Sequence, residues 1–205
     1  MAADRIDIGI IGGTNILDLE VMGNGESKEF ETPYGRAEVD IGRIGGARVG
    51  LIKRHGRNRD KPPHMVNHAA NMAALRQLGA RSVLALSSVG CLREDIDLPA
   101  LMVPHDYIDL GCTATIYNDK LVHIAPGFDP GLRAALRKAA SEVLEQSGED
   151  IRFVENGIYF QFRGPRLETK AEIRLIGQWA DCTGMTAGSE ATIAKEMGLR
   201  YAVLC

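Results

Sequence analysis

Residues 53–67 read KRHGRNRDKPPHMVN, a basic, proline-containing segment that follows directly on the apolar run Val49–Ile52. The apolar run is typical of a buried β-strand, and α/β sheets place ligands at the carboxyl ends of their strands. A guanidinium beside an imidazole can bind a phosphate or carboxylate, and the glycine after Arg54 and His55 lets the backbone approach it closely. The segment therefore predicts an anion site, with a solvated basic loop as the alternative.

Two further apolar segments also run into small polar residues. Ile6–Ile11 leads into a Gly-Gly turn ending at Thr14, and Ser82–Leu86 leads into Ser87 and Ser88. Backbone N–H groups and hydroxyls in such turns can bind phosphate. Three loops rich in donors, each after an apolar strand, are what a convergent anion site requires. The G-x-G-x-x-G spacing is missing from the first turn, which argues against a dinucleotide site.

The remaining patterns alternate between strands and helices. They predict an α/β fold, a single domain with a mixed central β-sheet flanked by helices. Gly45-Gly46 is expected to join two strands as a hairpin, and an aspartate cap with a proline in the first turn predicts one long helix. The predicted segments are strands Ala37–Ile44 and Ala47–Ile52, helix His64–Leu78, sheet-continuing segments Leu101–Pro104 and Asp106–Asp109, helix Asp129–Gly148, strand Gly157–Phe160, a helix to about Trp179, and a short helix closed by Gly198.

Composition limits the class of protein. The chain has 205 residues and is 45% hydrophobic, which fits one domain. Its formal charge is −3, so it lacks the basicity typical of a nucleic-acid-binding protein. We expect a cytoplasmic protein that does not interact with membranes, since no apolar window approaches the length of a membrane span and the N-terminus has no leader-like pattern. The four cysteines, Cys91, Cys112, Cys182 and Cys205, form no CxxC pair, so we expect reduced thiols and no metal site.

Some polar residues have a structural interpretation from the sequence alone. Glu168 stands at the start of a predicted helix, where a carboxylate often serves only as a first-turn cap. Asn67, His68 and Asn71 are interpreted as surface or interface groups on the helix that contains them.

The motifs taken together resemble a known family over nearly the whole chain. They are similar to the trimeric purine nucleoside phosphorylases, in the branch of methylthioadenosine and methylthioinosine phosphorylases. The segments that carry the resemblance are IGIIGGTN (8–15), TPYG (32–35), RHGRNRDKPPH (54–64), VNHAAN (66–71), SSVGCLRED (87–95), GPRLET (164–169) and GMTAGSEATIAKE (184–196).

The resemblance implies a role for particular residues. Arg54, His55 and Glu168 are expected to act in catalysis. Phosphate-binding positions are matched by Thr14, Arg54, His55, Ser87 and Thr186, and nucleoside-binding positions by Ser88, Leu167, Glu168 and Met185. The family's reaction is phosphorolysis, in which inorganic phosphate is a co-substrate and no cofactor or metal is needed. The resemblance also implies a homotrimer or a dimer of trimers.

Glu168 carries the expectation about the substrate. A carboxylate opposite the purine N1 edge accepts a hydrogen bond from the N1–H of a 6-oxopurine, whereas adenine presents an acceptor there. We therefore expect a 6-oxopurine nucleoside or S-methyl-5′-thioinosine as substrate. S-methyl-5′-thioadenosine is the first alternative, and a non-catalytic subunit that binds purine or phosphate is the second.

The sequence also departs from the family pattern. Asn15, Arg59 and Ser189 stand where a glycine, a histidine and a proline are usual. Family members continue past Tyr201–Cys205 into a loop bearing an Asp or Asn that contacts the purine, and then into a helix. We therefore expect residues 1–205 to be a nucleoside phosphorylase domain that lacks its C-terminal part.

Overall fold

The largest element of the fold is a mixed β-sheet. The computed structural model describes residues 5–13, 22, 25–111 and 114–205. Within these residues six strands form the sheet in the order β12-β5-β1-β4-β3-β2. Their bounds are β1 Ile8–Gly12, β2 Glu26–Thr32, β3 Gly35–Ile44, β4 Ala47–Lys53, β5 Ser82–Leu86 and β12 Arg200–Leu204.

The apolar runs of the sequence form the parallel centre of this sheet. β1 lies between β4 and β5, and β12 pairs with the far side of β5, all in parallel. Strands of this kind are buried on both faces, which explains their continuous apolar character. The hairpin predicted at Gly45-Gly46 is confirmed, with Gly45 in the left-handed region (φ 56°) and β3 antiparallel to β4.

The strands between β5 and β12 in the chain do not extend this sheet. A four-stranded sheet has the order β6-β11-β10-β8, and β7 pairs with β9 in a separate two-stranded sheet. The bounds are β6 Gly90–Cys91, β7 Ala100–Met102, β8 Asp106–Ile108, β9 Arg152–Val154, β10 Ile158–Gln161 and β11 Cys182–Gly184. The expectation that residues 101–109 continue the central sheet is therefore wrong, because β7 and β8 find their partners in later segments of the chain.

Helices pack against both larger sheets. Their bounds are α1 His68–Gln77, α2 Pro130–Ser147, α3 Lys170–Ile176 and α4 Ala187–Glu196. α1 contacts β2 and β3, α2 contacts β12, and α4 contacts β12 in the large sheet and β10 in the smaller one. The long helix is confirmed with its predicted Asp129 cap and with Gly148 left-handed at its end.

The start of α1 differs from the prediction. The helix begins at His68, four residues later than expected, and Pro63–Met65 forms a separate 3-10 turn. Asn67 ends this connection as the N-cap, where its side-chain oxygen accepts a hydrogen bond from the Ala70 backbone N–H at 2.9 Å. Once begun, the helix approaches the sheet closely, since a Cβ on Gly9 would lie 2.7 Å from Leu75 Cδ1.

Two further observations concern the described residues as a whole. None of their helices is both long and apolar enough to cross a membrane. Cys91, Cys182 and Cys205 are free thiols, as expected, while Cys112 lies outside the described residues.

Candidate functional site

A cavity of about 620 Å³ opens where β1, β4 and β5 end, with a second wall from β11. Parallel neighbouring strands bring their carboxyl ends to one edge, so loops distant in sequence meet there. The cavity brings together these predicted residues: Arg54, His55, Ser87, Ser88, Leu167, Glu168, Met185 and Thr186. Gly13 also lines it, whereas the predicted phosphate ligand Thr14 and its neighbour Asn15 lie outside the described residues.

Arg54 is held in place by three segments of the chain. It directly follows β4, and only 2% of its surface is exposed. Its Nε and Nη2 donate to Glu190 Oε1 and Oε2 at 2.5 and 3.1 Å, and its Nη1 donates to the Leu86 carbonyl at 3.1 Å. Since a guanidinium has five N–H donors, this arrangement leaves two for a ligand while fixing the plane of the group.

Glu190 is a component of the site that sequence reasoning missed. It is completely buried in the first turn of α4, and it also accepts a hydrogen bond from the Tyr201 hydroxyl at 2.7 Å. Burial alone would raise the pKa of Glu190, but the Arg54 charge and the nearby His68 outweigh it and lower that pKa to about 2. The same pairing raises the pKa of Arg54 despite burial. The sequence signal for a buried carboxylate was that Glu190 is the single charged residue in the segment 187–194, whose other side chains are small or apolar.

His68, interpreted from the sequence as a surface or interface group, lies beside the buried pair of Arg54 and Glu190. Its side chain is 12% exposed, and its Nδ1 lies 3.6 Å from Glu190 Oε1. α1 and α4 pack against each other, and this packing brings the two residues together. The helical pattern alone did not indicate which face of α1 would be buried.

The basic loop after β4 divides its charges between the cavity and the protein surface. Arg57 donates to Glu38 and Asp40 on β3, and Lys53 lies 3.6 Å from Asp40, so these two cations face strands rather than the cavity. Arg59 and Lys61 line the cavity. Arg59, which replaces the family's histidine, has a left-handed backbone (φ 55°).

His55 is oriented by this same loop. Its Nδ1 lies 2.9 Å from the Lys61 carbonyl oxygen. A carbonyl only accepts hydrogen bonds, so Nδ1 carries a hydrogen and the neutral ring has its lone pair on Nε2. A neutral His55 can accept a hydrogen from a protonated phosphate, and its imidazolium form can donate to a dianion.

Thr186 is positioned at the start of α4 by residues of the smaller sheet. The backbone N–H groups of Thr186 and Ala187 donate to the Tyr159 hydroxyl at 3.2 and 3.3 Å, and that of Gly188 donates to Gln161 at 2.9 Å. These side chains satisfy donors that a helix start otherwise leaves unpaired. Burial raises the pKa of Tyr159, which keeps its hydroxyl neutral.

The two residues predicted to face the purine, Leu167 and Glu168, lie beside β11. Leu167 is 77% exposed, and Glu168 is half-buried with its Oε1 accepting a hydrogen bond from Thr183 Oγ1 at 2.5 Å. Glu168 is not the cap of α3, because the Thr169 side chain and Glu172 form a capping box there. The structural alternative for Glu168 is therefore wrong, and its carboxylate faces the cavity region.

The fold and cavity define an α/β protein with a buried arginine, paired with a carboxylate, on one wall of the cavity and the Glu168 carboxylate on another. The model of the phosphorylase superfamily matches residues 7–205. The chain belongs to the phosphorylase superfamily, and the resemblance stated from its motifs is confirmed.

Individual relatives agree with this assignment. The chain is 55% identical to a probable 6-oxopurine nucleoside phosphorylase of Archaeoglobus fulgidus, covering 97% of this chain and 79% of the relative. It is 37% identical to a probable S-methyl-5′-thioinosine phosphorylase of Methanothermobacter thermautotrophicus, covering 97% and 69%. The structure of methylthioadenosine phosphorylase from Schistosoma mansoni in complex with adenine superposes with a TM-score of 0.86 at 26% identity, covering 98% and 80%. The predicted fold class is confirmed by this likeness.

Proposed function

We propose that this protein is a pentosyltransferase that cleaves 6-oxopurine nucleosides with inorganic phosphate. One observation carries the proposal: a single cavity is lined both by the Glu168 carboxylate and by the residues proposed to bind phosphate, which are Arg54, His55, Ser87 and Thr186. Two similar proteins, at 55% and 37% identity, have names that refer to 6-oxopurine nucleosides and S-methyl-5′-thioinosine.

The reaction requires no covalent step on a protein group. A phosphate oxygen forms a bond to the anomeric carbon of the sugar while the bond from that carbon to the purine nitrogen breaks. The electron pair of the broken bond stays on the purine, which takes up a proton, and the phosphate loses one as it becomes an ester, so the reaction balances without a further acid or base. The products are a free base and a ribose 1-phosphate. The reaction needs a positioned phosphate, and the negative charge of that phosphate also stabilises the developing sugar cation.

The two sides of the cavity suit this reaction. On the anion side, Arg54 is fixed by Glu190, and Ser87 and Thr186 are buried with their backbones hydrogen-bonded. Ser88 and Met185 line the same cavity and are proposed to contact the sugar. On the base side, a Glu168 carboxylate can accept the N1–H of a 6-oxopurine. Phosphate is thus a co-substrate, and we propose that no other cofactor takes part.

A second candidate is S-methyl-5′-thioadenosine phosphorolysis. The observation that favours it is the structural likeness to the methylthioadenosine phosphorylase of Schistosoma mansoni. The Glu168 carboxylate argues against it, because adenine places an acceptor at N1. We further propose that the protein acts in the cytoplasm as a homotrimer or a dimer of trimers, by analogy with the family.

The test is phosphate-dependent release of free base from inosine, S-methyl-5′-thioinosine and S-methyl-5′-thioadenosine, measured side by side by chromatography. Hypoxanthine from the first two, abolished by omitting phosphate, is the expected result. Adenine alone would favour the second candidate, and no base from any of them would indicate a binding subunit.

Glu168→Ser tests the selectivity separately. We expect the preference for inosine over S-methyl-5′-thioadenosine to fall by roughly 10- to 100-fold, the worth of one hydrogen bond to a charged group. Glu149→Ser, an exposed position after α2, is the matched control. An unchanged ratio in Glu168→Ser contradicts the assignment of Glu168.

A further inference from the structure

Thr183 lies in the wall of the cavity without belonging to the predicted site. It is the central residue of β11, where it pairs with Phe160 of β10 and Gly90 of β6. It is 5% exposed and lines the same cavity as Glu168. Strand pairing on both sides fixes its backbone, so its side chain projects from a rigid position.

The orientation of the Thr183 side chain is set by its neighbours. A Cβ on Gly90 would lie 3.2 Å from Thr183 Cγ2, so the methyl group occupies the space above this glycine. A β-branched side chain has few χ1 choices in a strand. With the methyl group packed on Gly90, the hydroxyl points to Glu168 and donates to its Oε1 at 2.5 Å.

This hydrogen bond determines what Glu168 can offer to a ligand. Oε1 is engaged by Thr183, and the chain after Glu168 is fixed by the capping box that begins at Thr169. The carboxylate therefore cannot turn freely, and Oε2 is the oxygen that Thr183 does not engage. A fixed acceptor suits a purine with N1–H, and it opposes the bare N1 of adenine because the carboxylate cannot rotate away.

We propose that Thr183 is a positioning residue for base selectivity, which holds Glu168 so that the cavity prefers 6-oxopurines over 6-aminopurines. The inference rests on the proposed function and deepens it. It assigns part of the selectivity to a residue outside the predicted site, acting through its hydrogen bond to Glu168.

Two variants separate the hydroxyl from the shape of the side chain. Thr183→Val keeps the branched shape and removes the donor, whereas Thr183→Ser keeps the donor and removes the methyl group. For Thr183→Val we expect kcat/KM for inosine to fall about tenfold, the usual worth of one such hydrogen bond, mainly through KM for the nucleoside. KM for phosphate should not change, and turnover of S-methyl-5′-thioadenosine should not fall. Thr183→Ser should retain most of the preference.

A merely structural role would give a different pattern. Equal losses with both nucleosides, a raised KM for phosphate, or the same selectivity in Thr183→Val as in the unmodified protein would overturn the proposal. If the unmodified protein releases no base, the proposed function fails, and calorimetric binding of hypoxanthine and adenine tests Thr183 independently. Weaker hypoxanthine binding by Thr183→Val, with adenine unaffected, supports the inference, and equal affinities in the variant and the unmodified protein overturn it.

Discussion

Replacing Glu190 by glutamine leaves the Arg54 guanidinium in the protein interior without its counter-charge. Both side chains are 1% exposed, so solvent cannot take over the role of the carboxylate. The amide can accept one hydrogen from Arg54 through its oxygen, but its NH2 group faces an N–H donor where Oε2 or Oε1 stood. The Tyr201 hydroxyl, which donates to Oε2, is also affected.

The expected loss of stability is large. Removing one partner of a buried ion pair costs about 3–5 kcal/mol, because the remaining charge stays desolvated. For a chain of this length each kcal/mol lowers Tm by about 2–4 °C, so Glu190→Gln should lower Tm by roughly 6–20 °C. Equilibrium urea denaturation followed by circular dichroism measures the same change in the free energy of unfolding directly.

Two comparisons make the result specific to the ion pair. Glu149→Gln at an exposed position should change the free energy of unfolding by less than about 0.5 kcal/mol. The double variant Arg54→Met/Glu190→Leu removes both charges and should be more stable than Glu190→Gln, since buried pairs can be replaced by apolar groups at little cost. A loss below about 1 kcal/mol in Glu190→Gln, or a double variant as unstable as the single one, would refute the reasoning.

Three further predictions concern Glu190, Tyr159 and Thr169. The pKa of Glu190 is lowered from 4.5 to about 2, so its stabilisation is present above the unfolded pKa and is lost as pH falls toward the folded one. Urea denaturation between about pH 6 and pH 2 should show about 3 kcal/mol lost through this group in the unmodified protein but not in Glu190→Gln. Tyr159→Phe removes the acceptor for the N–H groups of Thr186 and Ala187. It should lower the free energy of unfolding by about 1–3 kcal/mol and raise KM for phosphate. Unchanged kinetics would contradict the role of Tyr159. Thr169→Ala removes the α3 cap and should lower the free energy of unfolding by about 1 kcal/mol. An unchanged Tm in thermal denaturation would contradict this prediction.

Local signals in the sequence were sufficient for much of the fold. Apolar runs ending in glycine or hydroxyl residues predicted the central strands, and Gly45-Gly46 predicted the hairpin. The signals Asp129, Pro130 and Gly148 marked both ends of α2. For the hairpin and for α2, the determining interaction lies within a few residues of the signal, as in a cap or a turn. The convergence of Arg54 and Ser87 on one cavity followed from the general geometry of parallel sheets.

Other features depended on contacts between distant segments. Arg54 is paired with Glu190, 136 positions later in the chain, and no local pattern specifies that partner. The basic loop after β4 was predicted to form an anion site, and its sequence did not indicate which of its cations would face the cavity. Arg57 instead donates to acidic residues of β3. Likewise, Glu168 follows β10 and Thr183 lies in β11. The two residues form a hydrogen bond because β10 and β11 pair with each other.

The walls of the cavity come from two different sheets. Arg54, His55 and Ser87 follow strands of the six-stranded sheet. Thr183 is in the four-stranded sheet and binds Glu168. Thr186 precedes α4, which contacts both sheets. A substitution on the four-stranded side can alter which base fits without displacing the groups after β4 and β5. Under the proposed function, the groups that would hold phosphate and the group that would select the base can therefore be changed independently of each other.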